Sequence, residues 1–143
     1  MTQRTIIITA IALLITCSML SAQENTSNTP LSAKKMAAVK QNIINGLRSG
    51  NPGVMSSSMR LATEMRKRYP QEEMKKVLSV LRKVQETSAE GVLRYKAYLA
   101  ITMCEVPEWF AEMTVTSASD DEHFFQIAST EMQKQLYAAQ AAM

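Results

Sequence analysis

The sequence of 143 residues predicts an all-α fold. Apolar residues recur at intervals of three and four through most of residues 33–137, and no segment alternates apolar and polar residues over the length of a strand. Three stretches also share one spacing, in which a large apolar residue is followed four positions later by a small one: Val54-x-x-x-Ser58, Leu93-x-x-x-Ala97 and Phe124-x-x-x-Ala128. This spacing is typical of closely packed helices, and its recurrence favours stacked helical hairpins.

Residues 1–22 have the composition of a secretory signal peptide. Arg4 supplies a positive charge, residues 5–16 are almost wholly apolar, and Ala22 ends a short run of small residues. The apolar stretch is shorter than the roughly 20 residues that span a bilayer. We therefore expect cleavage after Ala22 and an exported mature chain without a transmembrane helix, periplasmic or secreted in a Gram-negative bacterium. Two alternatives remain, a lipoprotein anchored at Cys17 and an uncleaved anchor.

The mature chain is predicted to contain one folded domain. Residues 23–31 are polar and predict a flexible leader, because they have little apolar surface to bury. Residues 32–139 predict a single all-α helical-repeat domain of about six helices, and residues 140–143 a frayed tail.

Capping signals bound the first two helices. Ser32 is a suitable N-cap for a helix over 33–48, and Gly50 is a suitable stop. Asn51 followed by Pro52 predicts the start of the second helix, and Pro70 predicts its end. Its buried face is expected to begin at Val54.

The remaining helices are predicted from similar signals. The third covers 71–85, with two acidic residues in its first turn, where the helix dipole favours negative charge. The fourth starts at a capping box over 87–90, runs to about Cys104 and is the most apolar. The fifth is short, over 107–115, and the sixth opens at a second capping box over 119–122.

Six helices with short connections form three antiparallel hairpins. Residues 93–101, Leu-Arg-Tyr-Lys-Ala-Tyr-Leu-Ala-Ile, resemble the second helix of a HEAT-like repeat, and residues 51–54, Asn-Pro-Gly-Val, resemble its opening. The resemblance covers about residues 32–137. It implies an α-solenoid fragment used for binding, with no catalytic residues to carry over. A compact helical bundle without repeat ancestry is the alternative architecture.

Charge is distributed unevenly along the chain. Residues 34–96 hold 14 basic and 5 acidic residues, whereas residues 97–143 hold 1 basic and 7 acidic residues. A basic group at the end of the second helix and along the third is our candidate partner-binding surface. It consists of Arg66, Lys67, Arg68, Lys75, Lys76, Arg82 and Lys83.

Such a group suits a protein or peptide partner, or another anionic surface. Nucleic acid is not expected, because no aromatic residues interleave the charges. The alternative interpretation is a solvated face in which Glu64–Arg68 and Glu72–Lys76 act as helix-stabilising i,i+4 pairs.

Residues with catalytic or metal-binding chemistry are few. His123 is the only histidine, and Cys104 is the only thiol once residues 1–22 are removed, so neither a catalytic site nor a cofactor is predicted. Met55 and Met59 lie one helical turn apart and, unlike most of the methionines, fall outside the predicted core faces. They support the alternative of a periplasmic metal- or ligand-binding protein, since thioethers bind Cu(I). A thiol enzyme using Cys104 is a further alternative.

The leading prediction is a small, exported, non-enzymatic helical-repeat protein that serves as a scaffold for a protein or peptide partner. The sequence names neither the partner nor the oligomeric state.

Overall fold

The protein folds into packed helices. The computed structural model describes residues 32–114 and 120–141, and every regular element within these ranges is a helix. The elements are α1 (Ala33–Leu47), α2 (Pro52–Arg68), α3 (Lys75–Thr87), α4 (Gly91–Glu105), a 3₁₀ helix (Pro107–Phe110) and α5 (Asp121–Ala141). The prediction of an all-α fold is therefore confirmed. The predicted fifth helix is a single 3₁₀ turn instead of an α-helix.

The capping signals of the first two helices act as expected. The Ser32 hydroxyl accepts a hydrogen bond from the Lys35 backbone N–H at 3.4 Å. The Asn51 side-chain oxygen accepts from the N–H groups of Gly53 at 3.0 Å and Val54 at 3.2 Å. Gly50 between the helices has a φ of +73°, a conformation that glycine adopts without strain.

Helices α3 and α4 begin later than predicted. Residues 70–73 form a turn, in which the Glu72 carboxylate pairs with Lys40 on α1 at 2.6 Å instead of entering the first turn of α3. The capping box over 87–90 does not form, because α3 extends to Thr87, whose hydroxyl donates to the Lys83 carbonyl at 2.8 Å.

Helix α5 is capped one residue later than predicted and runs further. The Asp120 carboxylate accepts from the His123 backbone N–H at 2.7 Å. The predicted cap, Ser119, lies outside the described residues, as do the predicted signal peptide, the predicted leader and Cys17. The helix continues through Ala141, so the first two residues of the predicted frayed tail are helical.

The first four helices pack as two stacked hairpins. Helix α1 pairs with α2 and α3 pairs with α4, while α1 also contacts α3 and α2 contacts α4. Gly46 allows the α1–α2 approach, since a Cβ at this position would clash with the Ser58 hydroxyl. Ser58 is thus the small residue that the spacing predicted, facing a second small residue on the neighbouring helix.

Helix α5 lies against both hairpins, because it contacts α2 as well as α4 and the 3₁₀ helix. A HEAT-like solenoid fragment and a compact bundle are equally compatible with this arrangement. None of the helices within the described ranges has the length and apolarity needed to cross a membrane.

The buried face of α2 differs from the prediction. Val54 and Leu61 are 45% and 52% exposed, whereas Met59 and Ala62 are both 0% exposed. The buried face is therefore rotated by about one residue, and the stripe that packs against the other helices begins at Met55. The largest fully buried side chains come from four helices and are Leu47, Met59, Leu81, Leu99 and Val77.

Candidate functional site

The members of the predicted basic group differ in their burial and in their partners. Arg66 is half-buried and acts within the fold: its Nε donates to the Cys104 carbonyl at 3.2 Å and its Nη1 donates to the Pro70 carbonyl at 2.6 Å. These bonds connect the end of α4 to the turn that follows α2. Arg66 therefore serves the fold, and no feature of the sequence distinguishes it from its two basic neighbours.

Two further members of the group are paired with acids. Arg82 on α3 pairs with Glu105 at the end of α4, and Lys75 pairs with Glu73 at 2.9 Å. The hydrogen bond between Lys75 and Glu73 lowers the pKa of Glu73 and raises the pKa of Lys75. Both residues of this second pair are well exposed, so it adds little stability.

The i,i+4 pairs expected from the sequence are replaced by other partners. Glu64 binds the Arg60 Nε at 2.8 Å instead of pairing with Arg68, and Glu72 binds Lys40 instead of Lys76. Among the described residues, the side chains of four members of the basic group consequently make no hydrogen bond or ion pair. They are Lys67, Arg68, Lys76 and Lys83.

Two of these four line a cleft, which we call the α2 cleft. It has a volume of about 480 Å³ and lies between the second half of α2, the end of α4, the 3₁₀ helix and the start of α5. Lys67 and Arg68 lie on its α2 wall. The apolar part of its lining comes from Met103, Pro107, Phe110, Met113 and Phe124. Lys75 and Lys76 do not line this cleft. Both of them line two other grooves, which lie between α1 and α3.

The start of α5 is held by a cation on α2. Asp121 accepts a hydrogen bond from the Ser57 hydroxyl and lies 3.6 Å from an Arg60 guanidinium nitrogen. The Arg60 guanidinium also lies 5.2 Å from the centroid of the Phe124 ring, within the range of a cation–π contact. Asp121 and Phe124, which are three residues apart on α5, thus both bind Arg60.

Lys96 on α4 is bound in the same way, by the acid and the ring that lie one residue further along α5. The Lys96 ammonium is 2.7 Å from Glu122, 3.5 Å from the Ser56 hydroxyl and 5.5 Å from the centroid of the Phe125 ring. Lys96 is only 8% exposed, and Phe124 and Phe125 pack edge to face with centroids 5.1 Å apart. A charge at this depth requires a partner, and Glu122 supplies it.

We call this cluster the α5 clamp. It consists of four residues of α5 that bind Arg60 and Lys96, namely Asp121, Glu122, Phe124 and Phe125. The sequence predicts a capping box over 119–122, and its common spacing includes Phe124 but not Phe125. The signal that could have revealed the clamp is the doubled spacing itself, since 121/124 and 122/125 are both acid–x–x–aromatic pairs on neighbouring strips of one helix.

Cys104 is suited to packing. It is 2% exposed, and its sulfur lies 4.0 Å from the Ala62 carbonyl oxygen. Burial raises the pKa of its thiol to about 12, although the nearby Arg66 acts in the opposite direction. The thiolate is the nucleophilic form, so this environment disfavours the chemistry that a thiol enzyme requires.

The methionine pair on α2 also belongs to the core. Met55 and Met59 are both buried, so the interpretation that they fall outside the core is wrong. The cause is the rotated buried face of α2, which places both side chains among the other helices. The described residues contain no group of three or more His, Cys, Asp and Glu side chains that could hold a metal ion.

Comparisons of the chain with protein-family models, with curated proteins and with solved structures found no match. The resemblance of residues 93–101 to a HEAT-like repeat therefore stays a prediction from the sequence.

Proposed function

We propose that this chain is a small, exported, non-enzymatic helical-repeat protein that binds a protein or peptide partner in the α2 cleft. One observation carries the proposal. The cleft combines an apolar floor with two cations, Lys67 and Arg68, that have no hydrogen-bond or ion-pair partner among the described residues. A ligand with an apolar group and a negative charge satisfies both parts of this lining.

The size and composition of the cleft suit a segment of a protein. Its volume of about 480 Å³ lies within the range of roughly 300–1,000 Å³ that ligand sites occupy. Phenylalanine, methionine and arginine are enriched at protein interfaces, and all three line the cleft. A buried apolar anchor surrounded by charged residues is also the usual arrangement at the centre of an interface.

Export is part of the proposal and is supported by the composition of residues 1–22. It places the partner outside the cytoplasm, in the periplasm or beyond. The intact mass of the chain recovered from the exported fraction tests this directly. Loss of residues 1–22 supports cleavage, whereas a full-length chain in the cytoplasm contradicts it.

Site-specific photocrosslinking in the host cell tests the binding site. A photoreactive amino acid replaces Ala111, which is exposed and lines the cleft, or Ala38, which is exposed on α1 and does not line it. We expect a crosslinked partner from position 111 and none from position 38. The crosslink is expected to disappear in Lys67→Glu/Arg68→Glu.

The matched control for charge reversal is Lys34→Glu/Lys35→Glu, which makes the same change in net charge at two exposed positions on α1. This variant is expected to keep the crosslink. The proposal is wrong if position 111 yields no crosslinked protein, or if the crosslink survives reversal of Lys67 and Arg68.

A further inference from the structure

We infer that the α2 cleft recognises a helical segment of the partner in which an acidic residue precedes an aromatic residue by three positions. This inference rests on the proposed function and specifies the chemistry of the partner. It comes from the α5 clamp, in which the protein already binds such a segment on the same helix. The occupant is a segment of another protein, because both acid–ring pairs of α5 are engaged within the chain.

The clamp shows that the arrangement works on this surface. Two acid–ring pairs with the same spacing, Asp121 with Phe124 and Glu122 with Phe125, each bind one cation. Residues three apart on a helix lie on the same side, so a helical segment brings its acid and its ring to one cation together. The acid supplies the charge, and the face of the ring supplies a cation–π contact.

Lys67 is the unoccupied counterpart of Arg60. The two cations are seven residues apart on α2, which is close to two full turns and about 10 Å along the helix axis. They therefore lie on the same side of α2, and both line the cleft. Arg60 is bound by Asp121 and Phe124, whereas Lys67 makes no ion pair or cation–π contact with the described residues, and the Glu64 carboxylate on the same wall pairs with Arg60 instead.

The cleft also offers a place for a second ring. Phe110 and Met113 are buried at 5% and 7% exposure and line the cleft, and Met103 lies beside them. Methionine sulfur and aromatic edges make favourable contacts with an incoming ring. Phe124 belongs both to the clamp and to the cleft lining. A ring inserted into the cleft therefore packs against Phe124, which already packs against Phe125 in the clamp.

A peptide with the sequence of residues 120–133 tests the inference, with both ends blocked and the full chain as its receptor. The probe carries both acid–ring pairs and contains no tryptophan. Trp109 is the only tryptophan of the chain and lies between Pro107 and Phe110, both of which line the cleft. Trp109 does not line the cleft itself, so its emission is read together with the heat of binding from titration calorimetry, and a saturable change in either reports binding of the probe.

We expect a saturable change in Trp109 emission with a Kd of about 0.1 mM, since a short peptide must become helical on binding. A control peptide of the same composition, in which the rings precede the acids, is expected to bind at least tenfold more weakly. Lys67→Glu/Arg68→Glu is expected to lose the response, and Lys34→Glu/Lys35→Glu to keep it.

Three outcomes overturn the inference. The first is that the probe and the control peptide bind with equal affinity. The second is that the probe gives no saturable binding signal up to about 1 mM. The third is that reversal of Lys67 and Arg68 leaves the affinity for the probe unchanged. The last outcome means that the probe displaces α5 from its own clamp. If any of these occurs while the crosslink from position 111 persists, the recognition chemistry is wrong and the proposed binding site stands. Loss of the crosslink as well overturns both.

Discussion

Two pairs of cations lie close together in this protein and differ completely in their surroundings. Arg60 and Lys96 have side chains only 15% and 10% exposed, and each is bound by an acid and a ring of α5. Lys67 and Arg68 are exposed at the end of α2 and have no partner among the described residues. The sequence draws attention to the second pair, which lies in a run of three basic residues, whereas the structurally engaged pair is isolated along the chain.

The difference explains much of the uneven charge distribution. Acids of the last third of the chain bind cations of the earlier part: Asp121 binds Arg60, Glu122 binds Lys96, and Glu105 binds Arg82. The two oppositely charged parts of the sequence are therefore complementary within one fold. Cations that remain unpaired after this internal matching, such as Lys67 and Arg68, are the ones available to a partner.

The largest effect is expected from breaking the clamp at its aromatic part. Phe125→Ala removes a ring that is 3% exposed, packs edge to face against Phe124 and lies beside the Lys96 ammonium. We expect the free energy of unfolding to fall by about 3–5 kcal/mol, the usual loss for a buried phenylalanine. Urea denaturation followed by circular dichroism measures it.

Leu136→Ala on the same helix is the control. Leu136 is 42% exposed, so its truncation is expected to cost less than about 1 kcal/mol. Equal losses for the two variants would show that α5 does not depend on the rings for its attachment.

The charge part of the clamp is expected to contribute less. A double-mutant cycle with Lys96→Met, Glu122→Gln and the double variant isolates the interaction between the two side chains. Lys96 is nearly buried but Glu122 is 60% exposed, so solvent screens the pair on one side. We expect a coupling free energy of about 1–2 kcal/mol, between the values for exposed and buried pairs.

In this cycle Glu122→Gln is the more informative single variant, because it removes the carboxylate and leaves the Lys96 charge with the Ser56 hydroxyl, at 3.5 Å, and the face of the Phe125 ring. A coupling close to zero would mean that Lys96 is solvated as well as any surface lysine. The contrast between the clamped and the unpaired cations would then lose its energetic basis.

The sequence predicts the helices and the first two caps well, since these depend on local chemistry. Ser32 and Asn51 cap the helices that follow them, as expected, and Gly50 adopts the positive φ that a stop requires. Ends that depend on tertiary contacts are predicted less well. The start of α3 is an example, because Glu72 binds Lys40 on another helix instead of its own first turn.

The candidate site is harder to predict, because it depends on how helices are rotated and on which charges meet. A rotation of about one residue on α2 buries Met55 and Met59 and exposes Val54 and Leu61. Arg66 and Lys67 are adjacent in the sequence, yet one binds backbone carbonyls and the other lines the cleft. Periodicity within a helix does not reveal which neighbour it faces.

The smallest effect on stability is expected at the cleft cations, and it separates binding from folding. Lys67→Glu/Arg68→Glu alters exposed side chains that have no partner within residues 32–114 and 120–141, so the change is opposed by the dipole at the end of α2 and by repulsion from Glu64. We expect a loss below about 1 kcal/mol at physiological salt, measured by urea denaturation. Lys34→Glu/Lys35→Glu makes the same charge change at the start of α1, where the dipole favours acids, and is expected to be neutral or slightly stabilising.

A loss above about 2 kcal/mol at positions 67 and 68 would show that these cations serve the fold as Arg60 and Lys96 do. A loss below about 1 kcal/mol, together with a position-111 crosslink that forms in the unaltered chain and disappears in Lys67→Glu/Arg68→Glu, would instead assign these cations to partner binding.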